Sequence, residues 1–334
     1  MKVFVHYKPH NAADAFEGTR LRKTIKGACE VVDVSWVDSP QEDVDVAHFL
    51  SPDDFALLKR QKDAGVATVV SAFYAENDPN ASFLTSDKVP HLTPKAKLLL
   101  READLVLVPD ERMIALCEKE GVHAKMEVLL PAVRLNRFSR VASESKIFRR
   151  YFGVTEDQKV VVAKGSYDDK NAIITIKKIA EACPNLEFYF FGAPGKFDPL
   201  NLHKRIARLR RTPNLHLKDI VQDDVYRSAL MNSLAYISND SVRPDPVGTV
   251  EAFASQTQVV AFDSDRHNPL LVENESCYFF TSVEKMAKYL NSLSQGSAES
   301  TIDTAYAIAK AHNLIVYGKE LKRHYEALAS GESR

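Results

Sequence analysis

The sequence predicts an α/β fold built from two doubly wound parallel sheets, and three observations carry this prediction. Short apolar runs alternate with helical patterns up to about residue 130, the same alternation restarts near residue 160, and the chain ends in a helical stretch without a further strand. Strand alternating with helix is typical of parallel sheets covered on both faces. A chain of 334 residues is long enough for two such cores.

The apolar runs of the first half are predicted strands, and the helical patterns lie between them. The predicted strands are Val3–Val5, Val31–Val34, Val46–Phe49, Ala67–Ala72, Leu105–Val108 and Val128–Leu130. The helical patterns include Phe16–Ile25, Phe55–Leu58 and Met113–Leu116. A connection with a basic segment, Pro131–Ala142, follows.

The second half repeats the pattern and then becomes wholly helical. Its predicted strands are Val160–Ala163, Phe188–Phe191, Leu215–Leu217, Ala235–Ile237, Val259–Phe262 and Tyr278–Phe280. Helices are expected at Ala172–Ala182, Leu202–Leu209, Val225–Met231, Val283–Leu293 and from Thr301 to Leu328. We therefore expect domains at 1–138 and 139–312, and a C-terminal helix at 313–334 that packs back on the first domain.

Composition excludes several classes of protein. The net charge of −1 and the pI of about 6.8 give no general attraction to nucleic acid. No apolar stretch approaches the roughly 20 residues that span a bilayer, and the first residues do not form a signal peptide. Cys29, Cys117, Cys183 and Cys277 lack metal-ligand spacing and are expected to be core residues in a reducing compartment, which predicts a cytoplasmic protein.

The stretch from Leu234 to Asp263 has the order strand, loop, helix, strand. An apolar run is followed by a polar loop with prolines, and Val247-Gly248 opens a helical pattern that carries Glu251. Such a unit is often only scaffold. However, ligands of parallel sheets gather at the carboxyl ends of the strands, where a helix N-terminus attracts phosphate.

Two lysines flank the turn after the first strand of the second half. Lys164 and Lys170 enclose Gly165-Ser166-Tyr167-Asp168-Asp169 and lead into a helix. Lysines in this position are either solvated loop residues or ligands that hold a diphosphate together with backbone N–H groups. The carboxylate of Glu251 would lie at the same sheet edge and could accept hydrogen bonds from both hydroxyls of a ribose.

Several segments resemble the GT-B glycosyltransferases of family 4. They are Lys164 to Lys170, Pro184–Gly192, Pro213–Asp219, Pro246–Ala261, the PAVRLNRF turn and the Val44–Phe49 strand, and the similarity covers residues 1 to 325. The resemblance implies two Rossmann-like domains facing across a cleft, with the C-terminal helix crossing back. It also implies retaining transfer of a hexose from a nucleotide-diphosphate sugar, UDP-glucose or UDP-galactose, as co-substrate, with no permanent cofactor. No DxD, HExxH or other metal-binding signature in the sequence is specific enough to indicate a bound ion, so no metal is expected.

The resemblance assigns site residues in both domains. The donor would be bound by Gly18, Lys164, Lys170, Asp219, Gly248, Thr249 and Glu251, with Gly18 in a loop that opens the first helix. Lys164, Lys170 and Asp245 are the catalytic candidates. Within the family, the chain is similar to bacterial enzymes that add a second hexose to glucosyl-diacylglycerol, with Phe73–Phe83 in the place of one of their motifs. Arg20, Glu76 and Asp78 would then bind a glycolipid or saccharide acceptor.

The sequence departs from the family at two positions. Arg243 stands where the family has the first glutamate of its Glu-x7-Glu motif, and Phe73 stands where it has a cleft histidine. Asp245 or Asp240 could supply the missing carboxylate. Two alternatives remain open: a partner subunit that keeps the fold without turnover, or an enzyme with a soluble polysaccharide-type acceptor.

Three clusters of basic residues are candidates for contact with a membrane. They are Arg20 with Arg22, Lys23 and Lys26; Lys146 with Arg149 and Arg150; and Lys204 with Arg205, Arg208, Arg210 and Arg211. Basic helices can lie on anionic headgroups at the inner face of the plasma membrane. More often, however, such clusters form a solvated helix face.

Overall fold

The computed structural model describes residues 1–8, 12–40, 43–72, 91–138, 143–167, 170–193, 211–238, 246–264 and 267–331. For residues 12–20, 143, 166, 170 and 193 it describes the backbone alone. The chain divides into two compact units, Met1–Val133 with His312–Arg334, and Arg134–Ala311.

The first unit contains a six-stranded parallel sheet. Its strands are β1 (Lys2–His6), β2 (Ser35–Val37), β3 (Val46–Phe49), β4 (Ala67–Ser71), β5 (Leu105–Val108) and β6 (Met126–Val128), in the order β2-β1-β3-β4-β5-β6. Its helices are α1 (Ala12–Val31), α2 (Phe55–Asp63), α3 (Pro94–Glu102) and α4 (Glu111–Lys119). All residues of β3, β4 and β5 are buried, as expected for strands covered on both faces.

Side-chain caps set where three of these helices begin. Asp54 accepts a hydrogen bond from the Leu57 N–H of α2, and Thr93 accepts one from the Ala96 N–H of α3. Asp110 does the same for two N–H groups of α4. Each cap satisfies a donor that the helix itself leaves without an acceptor.

The second unit repeats this architecture. Its strands are β7 (Val160–Ser166), β8 (Glu187–Ala193), β9 (Leu215–Asp219), β10 (Ser233–Ser238), β11 (Gln258–Phe262) and β12 (Tyr278–Phe280), in the parallel order β12-β11-β10-β7-β8-β9. Its helices are α5 (Ile147–Phe152), α6 (Lys170–Ala182), α7 (Asp223–Met231), α8 (Pro246–Ala254), α9 (Val283–Ser294) and α10 (Ile302–Ala311). The prediction of two doubly wound parallel sheets is confirmed.

The last helix of the chain, α11 (Leu314–Ala329), belongs to the first unit. Tyr317, Leu321 and Tyr325 of α11 share a core with Leu21 and Ile25 of α1. Gly318 allows this close approach, because a Cβ there would lie 2.7 Å from the carbonyl oxygen of Ala28. The C-terminal segment therefore completes the core of the first sheet.

Three sequence predictions need correction. Val31–Val34 is not a strand: α1 continues to Val31, Asp33 turns the chain with a φ of 57°, and β2 begins only at Ser35. The predicted strand Val128–Leu130 lies at Met126–Val128 instead. The final helical stretch is interrupted before Leu314, where the side chain of Asn313 caps a new helix. The predicted helix Leu202–Leu209 lies outside the described residues.

Each sheet has a point where the chain reverses the direction in which strands are added. In the first sheet it lies between β1 and β3, and in the second between β7 and β10. The loops leaving two such strands diverge to opposite sides, which opens a crevice at their carboxyl ends. Ligands of open parallel sheets bind in such crevices, so these are the two candidate ligand sites.

Candidate functional site

Lys164 lies near the carboxyl end of β7, at the crevice of the second sheet. Its ammonium nitrogen is 5.8 Å from the ring centroid of Tyr226, a buried residue of α7. The Tyr226 ring in turn meets Phe191, the β8 neighbour of Lys164, edge to face at 5.6 Å. The aromatic ring therefore stabilises a partly buried cation at the strand end.

Ser238 ends β10, the strand on the other side of the crevice. Ile237 is paired with Ala163, so the register continued by one residue places Ser238 beside Lys164 on the same face of the sheet. Ser238 is 3% exposed, and its Oγ has no hydrogen-bond partner among the described residues. A buried hydroxyl without a partner is uncommon and calls for an explanation, such as a ligand.

Helix α8, which follows β10 along the chain, begins at Pro246. Proline suits a first helical position because it has no N–H to leave unsatisfied, and the start of a helix attracts anions. Gly248 is buried in the first turn, and Glu251 follows it half-buried. Thr249 is fully buried and its Oγ1 accepts a hydrogen bond from Asn268 at 3.0 Å. That side chain therefore holds α8 in place rather than facing solvent.

Tyr167 connects the turn after β7 to the end of β9. Its hydroxyl donates a hydrogen bond to the carbonyl oxygen of Lys218 at 2.7 Å. The ring occupies the space above Gly192, where an added Cβ would lie only 2.7 Å from it. Asp219, the register partner of Gly192, ends β9 with an exposed side chain. The glycine thus allows the aromatic ring to fix the ends of β7, β8 and β9.

The structure places the other predicted site residues as follows. Lys170 is the first residue of α6, and only the backbone of this residue is described. Gly18 and Arg20 lie inside α1, which begins at Ala12, so the prediction of a Gly18 loop opening that helix is wrong. Asp245, Glu76 and Asp78 lie outside the described residues, as do Asp240, Arg243 and Phe73.

Sequence reasoning missed Ser238, Tyr226 and Tyr167. The signal for Ser238 was available, since it ends an apolar run just before a polar loop. Tyr226 and Tyr167 carried no such signal, because an aromatic residue on a helix or turn is usually core. Their roles depend on which strands become neighbours.

The basic clusters are engaged within the protein to different degrees. Arg22 and Lys26 approach the ring of Trp36 to 4.9 and 5.5 Å, and Arg22 pairs with Asp38 at 3.3 Å. Arg149 is largely buried and donates to the Asn232 side chain at 2.8 Å. The third cluster lies outside the described residues except for Arg211, which is exposed.

The described residues contain neither a metal site nor a membrane-spanning helix. No group of three His, Cys, Asp or Glu side chains there has the arrangement of a metal site. None of the described helices has the length and apolar character needed to cross a membrane. The four cysteines are all buried, as predicted from the sequence.

Comparison with known proteins extends the resemblance seen in the sequence. No protein-family model matches the chain. It is 21% identical over 304 residues to the processive diacylglycerol alpha-glucosyltransferase of Acholeplasma laidlawii, covering 90% of both chains.

Solved structures align over nearly the whole chain. HepE of Anabaena, crystallised with UDP and glucose, superposes with a TM-score of 0.71 at 14% identity, covering 98% of this chain and 99% of HepE. Sucrose-phosphate synthase from Thermosynechococcus elongatus superposes with a TM-score of 0.66 at 12% identity, covering 99% of this chain and 89% of the synthase. The chain therefore has the GT-B fold of glycosyltransferases, as its resemblance to them in sequence predicted.

Proposed function

We propose that the chain is a retaining glycosyltransferase that transfers a hexose from a UDP-hexose, UDP-glucose or UDP-galactose, to a membrane glycolipid such as glucosyl-diacylglycerol. The observation that carries the proposal is the crevice between β7 and β10. Lys164 lies at one of its strand ends, and the Ser238 hydroxyl, which has no partner in the described part of the chain, lies at the other. Helix α8 is the next described element after the second strand. A cation, a hydroxyl and a helix start suit a diphosphate.

The relatives support this choice of substrates. The Acholeplasma relative is named as a diacylglycerol glucosyltransferase, and the HepE structure holds UDP and glucose. On this basis the second domain binds the nucleotide sugar through Lys164, Lys170, Asp219, Gly248, the backbone of Thr249, and Glu251. The first domain binds the acceptor through Arg20, Glu76 and Asp78.

The proposed reaction needs no side-chain nucleophile. The bond between the sugar C1 and the diphosphate oxygen breaks, the acceptor oxygen bonds to C1 on the same face, and the acceptor proton passes to a phosphate oxygen of the departing UDP. Catalysis then consists of stabilising the negative charge that develops on UDP and of orienting the acceptor. Lys164 and Lys170 supply the positive charge, and Asp245 supplies a carboxylate near the sugar.

The test is transfer and donor hydrolysis by the purified protein, with UDP-glucose or UDP-galactose and mixed micelles of glucosyl-diacylglycerol. Wild type is compared with Lys170→Ala and Glu251→Ala. Loss of one charge-stabilising contact costs about 3 kcal/mol, so Lys170→Ala should lower turnover roughly a hundredfold. Glu251→Ala removes the acceptor of the ribose hydroxyls and should raise KM for the donor. Lys177→Ala is the matched control, because Lys177 lies on the same helix and pairs on the surface with Glu181 at 2.6 Å. Equal turnover of Lys170→Ala and the control would contradict the proposed diphosphate site.

Arg243 favours a second candidate, a partner subunit that binds nucleotide without turnover. A sugar-binding glutamate accepts hydrogen bonds from the sugar hydroxyls, whereas the guanidinium of an arginine can only donate them. UDP binding by wild type without transfer or hydrolysis of either donor would select this candidate.

A soluble acceptor is the remaining alternative, and vesicle binding separates it from the glycolipid. Attraction between basic clusters and anionic lipid weakens as salt screens it. Salt-sensitive co-sedimentation with phosphatidylglycerol vesicles is expected for the lipid enzyme. Transfer to a soluble saccharide without vesicle binding would overturn the glycolipid assignment.

A further inference from the structure

A cavity of about 510 Å³ lies in the first unit, at the carboxyl end of β1. Its polar wall includes His6, Arg22 and Asp38, and its apolar wall includes Phe4, Pro40 and Leu57. This is the end of the sheet at which β1 and β3 form the crevice of the first unit. Of these residues, the sequence had singled out Arg22 alone, as a member of the first basic cluster.

His6 is held rigidly in this wall. Its ring packs against Phe4 and Phe49 with centroid separations of 5.9 and 5.5 Å. Its Nε2 lies 3.3 Å from Oδ2 of Asp54, while Oδ1 of Asp54 caps α2 through the Leu57 N–H at 3.2 Å. The carboxylate therefore lies between the start of α2 and the imidazole, and the buried Nε2 of His6 has no hydrogen-bond partner among the described residues.

Charged groups of both signs surround His6. Burial lowers the pKa of His6, Asp54 and Asp53 raise it, and Lys8 and Arg22 lower it. The net effect is a lowered pKa, so the imidazole is neutral at pH 7 and offers one donor and one acceptor. Arg22 is already engaged by Asp38 at 3.3 Å and by the Val5 carbonyl at 3.4 Å.

The neutral ring of His6 lies in the same wall as Arg22 and Asp38, whose charges are paired with each other. Such a wall suits a ligand without charge. A sugar or polyol offers hydroxyls that donate to a carboxylate and exchange hydrogen bonds with a neutral imidazole, and C–H surfaces that pack on apolar side chains. Ser51, at the end of β3, is fully buried and its Oγ also has no partner among the described residues. The same edge of the sheet therefore holds further hydrogen-bonding capacity.

We propose that this cavity binds the uncharged, hydroxyl-rich head group of the acceptor, with His6 as a hydrogen-bonding group of its wall and Asp54 beside the His6 ring. The proposal rests on the transferase function proposed above and names the part of the first domain that receives the acceptor. Phe4, Pro40 and Leu57 contact the ring carbons of the sugar. His6, with Asp54 beside it, then positions a hydroxyl of the acceptor. Neither residue takes part in breaking the bond between the sugar and UDP.

The test measures binding of methyl β-glucoside to the full-length protein by saturation-transfer NMR and titration, with UDP affinity measured on the same samples. His6→Phe keeps the aromatic packing and removes the hydrogen bonds. Asp54→Asn keeps the cap, since asparagine caps helices as well as aspartate does, and removes the charge. Both should weaken glucoside binding at least tenfold and raise KM for the acceptor, with UDP affinity unchanged. The control is His91→Phe, which breaks an exposed pair with Glu120 at 2.7 Å.

The outcomes separate this proposal from the proposed function. Glucoside binding by His6→Phe equal to that of wild type overturns the cavity proposal, as does the absence of glucoside binding by wild type. Failure of wild type to bind UDP overturns the transferase function, whatever the glucoside result. Loss of glucoside binding in His6→Phe and Asp54→Asn but not in His91→Phe supports the proposal that the cavity binds a sugar, even if wild type fails to bind UDP.

Discussion

At the scale of single residues, the buried hydroxyl of Ser238 is the most informative group in the second unit. Removing it should cost affinity for a phosphate rather than stability, because it makes no hydrogen bond within the described structure. A neutral hydrogen bond contributes about 0.5–1.5 kcal/mol, and one to a charged group more. Ser238→Ala is therefore expected to weaken UDP binding roughly three- to thirtyfold, measured by calorimetry, and to leave uridine binding unchanged.

Ser233 provides the matched control at the other end of the same strand. Its hydroxyl is buried and donates to the Leu230 carbonyl at 2.8 Å. Ser233→Ala should lower the melting temperature without changing UDP affinity. If Ser238→Ala instead lowered the melting temperature and bound UDP like wild type, Ser238 would be a structural residue only.

At the scale of elements, α11 is tied to the first sheet by a buried hydrogen-bonded chain. Nδ1 of His48 on β3 lies 2.7 Å from the Tyr325 hydroxyl of α11, and Nε2 lies 2.7 Å from Oγ of Ser71 at the end of β4. Tyr325→Phe leaves a buried ring nitrogen without a partner and should cost about 1–3 kcal/mol in the free energy of unfolding. Tyr289→Phe, which breaks an exposed hydrogen bond to Glu299, should cost less in the same urea titration.

The buried histidine of this hydrogen-bonded series, His48, also predicts how the stability of the protein depends on pH. Burial lowers the pKa of His48 from 6.5 to about 3. Between these values the unfolded chain binds a proton that the folded chain does not, so the free energy of unfolding falls as pH is lowered from 6.5 towards 3. His48→Gln removes this titration, and its stability should fall less steeply, by up to about 1.4 kcal/mol per pH unit. Parallel slopes for the two proteins would show that His48 is protonated in the fold.

At the scale of the whole molecule, the first unit needs both ends of the chain. Leu314, Tyr317, Leu321, Tyr325 and Leu328 are buried in its core. Each large buried apolar side chain stabilises a fold by about 1.5–3 kcal/mol, so losing five of them removes as much stability as a domain normally has. Deletion of residues 312–334 should therefore expose 1–133 to limited proteolysis and leave fragments of 134–311 protected, as identified by mass spectrometry. Deletion of 331–334, beyond α11, serves as the control, and protection of 1–133 in the longer deletion would contradict the expectation.

Local patterns in the sequence were enough to predict the α/β class and most strands. Tyr278–Phe280 agrees with β12, and Val46–Phe49 agrees with β3, because continuous apolar runs in parallel sheets need no knowledge of neighbours. The failure at Val31–Val34 has a local cause as well. The apolar run there spans the end of α1 and the turn at Asp33, and a short run of this kind does not distinguish a helix end from a strand.

The sequence by itself determined the chemistry that each segment could offer: Lys164 and Lys170 around a turn, Glu251 on a short helix, and a chain with no general charge bias. The tertiary structure alone decided which groups meet. Ser238 lies beside Lys164 because β10 pairs with β7, some 70 residues earlier, and His6 meets Asp54 because β1 pairs with β3. Such contacts depend on strand order, and strand order follows from burying the whole core at once rather than from any local pattern.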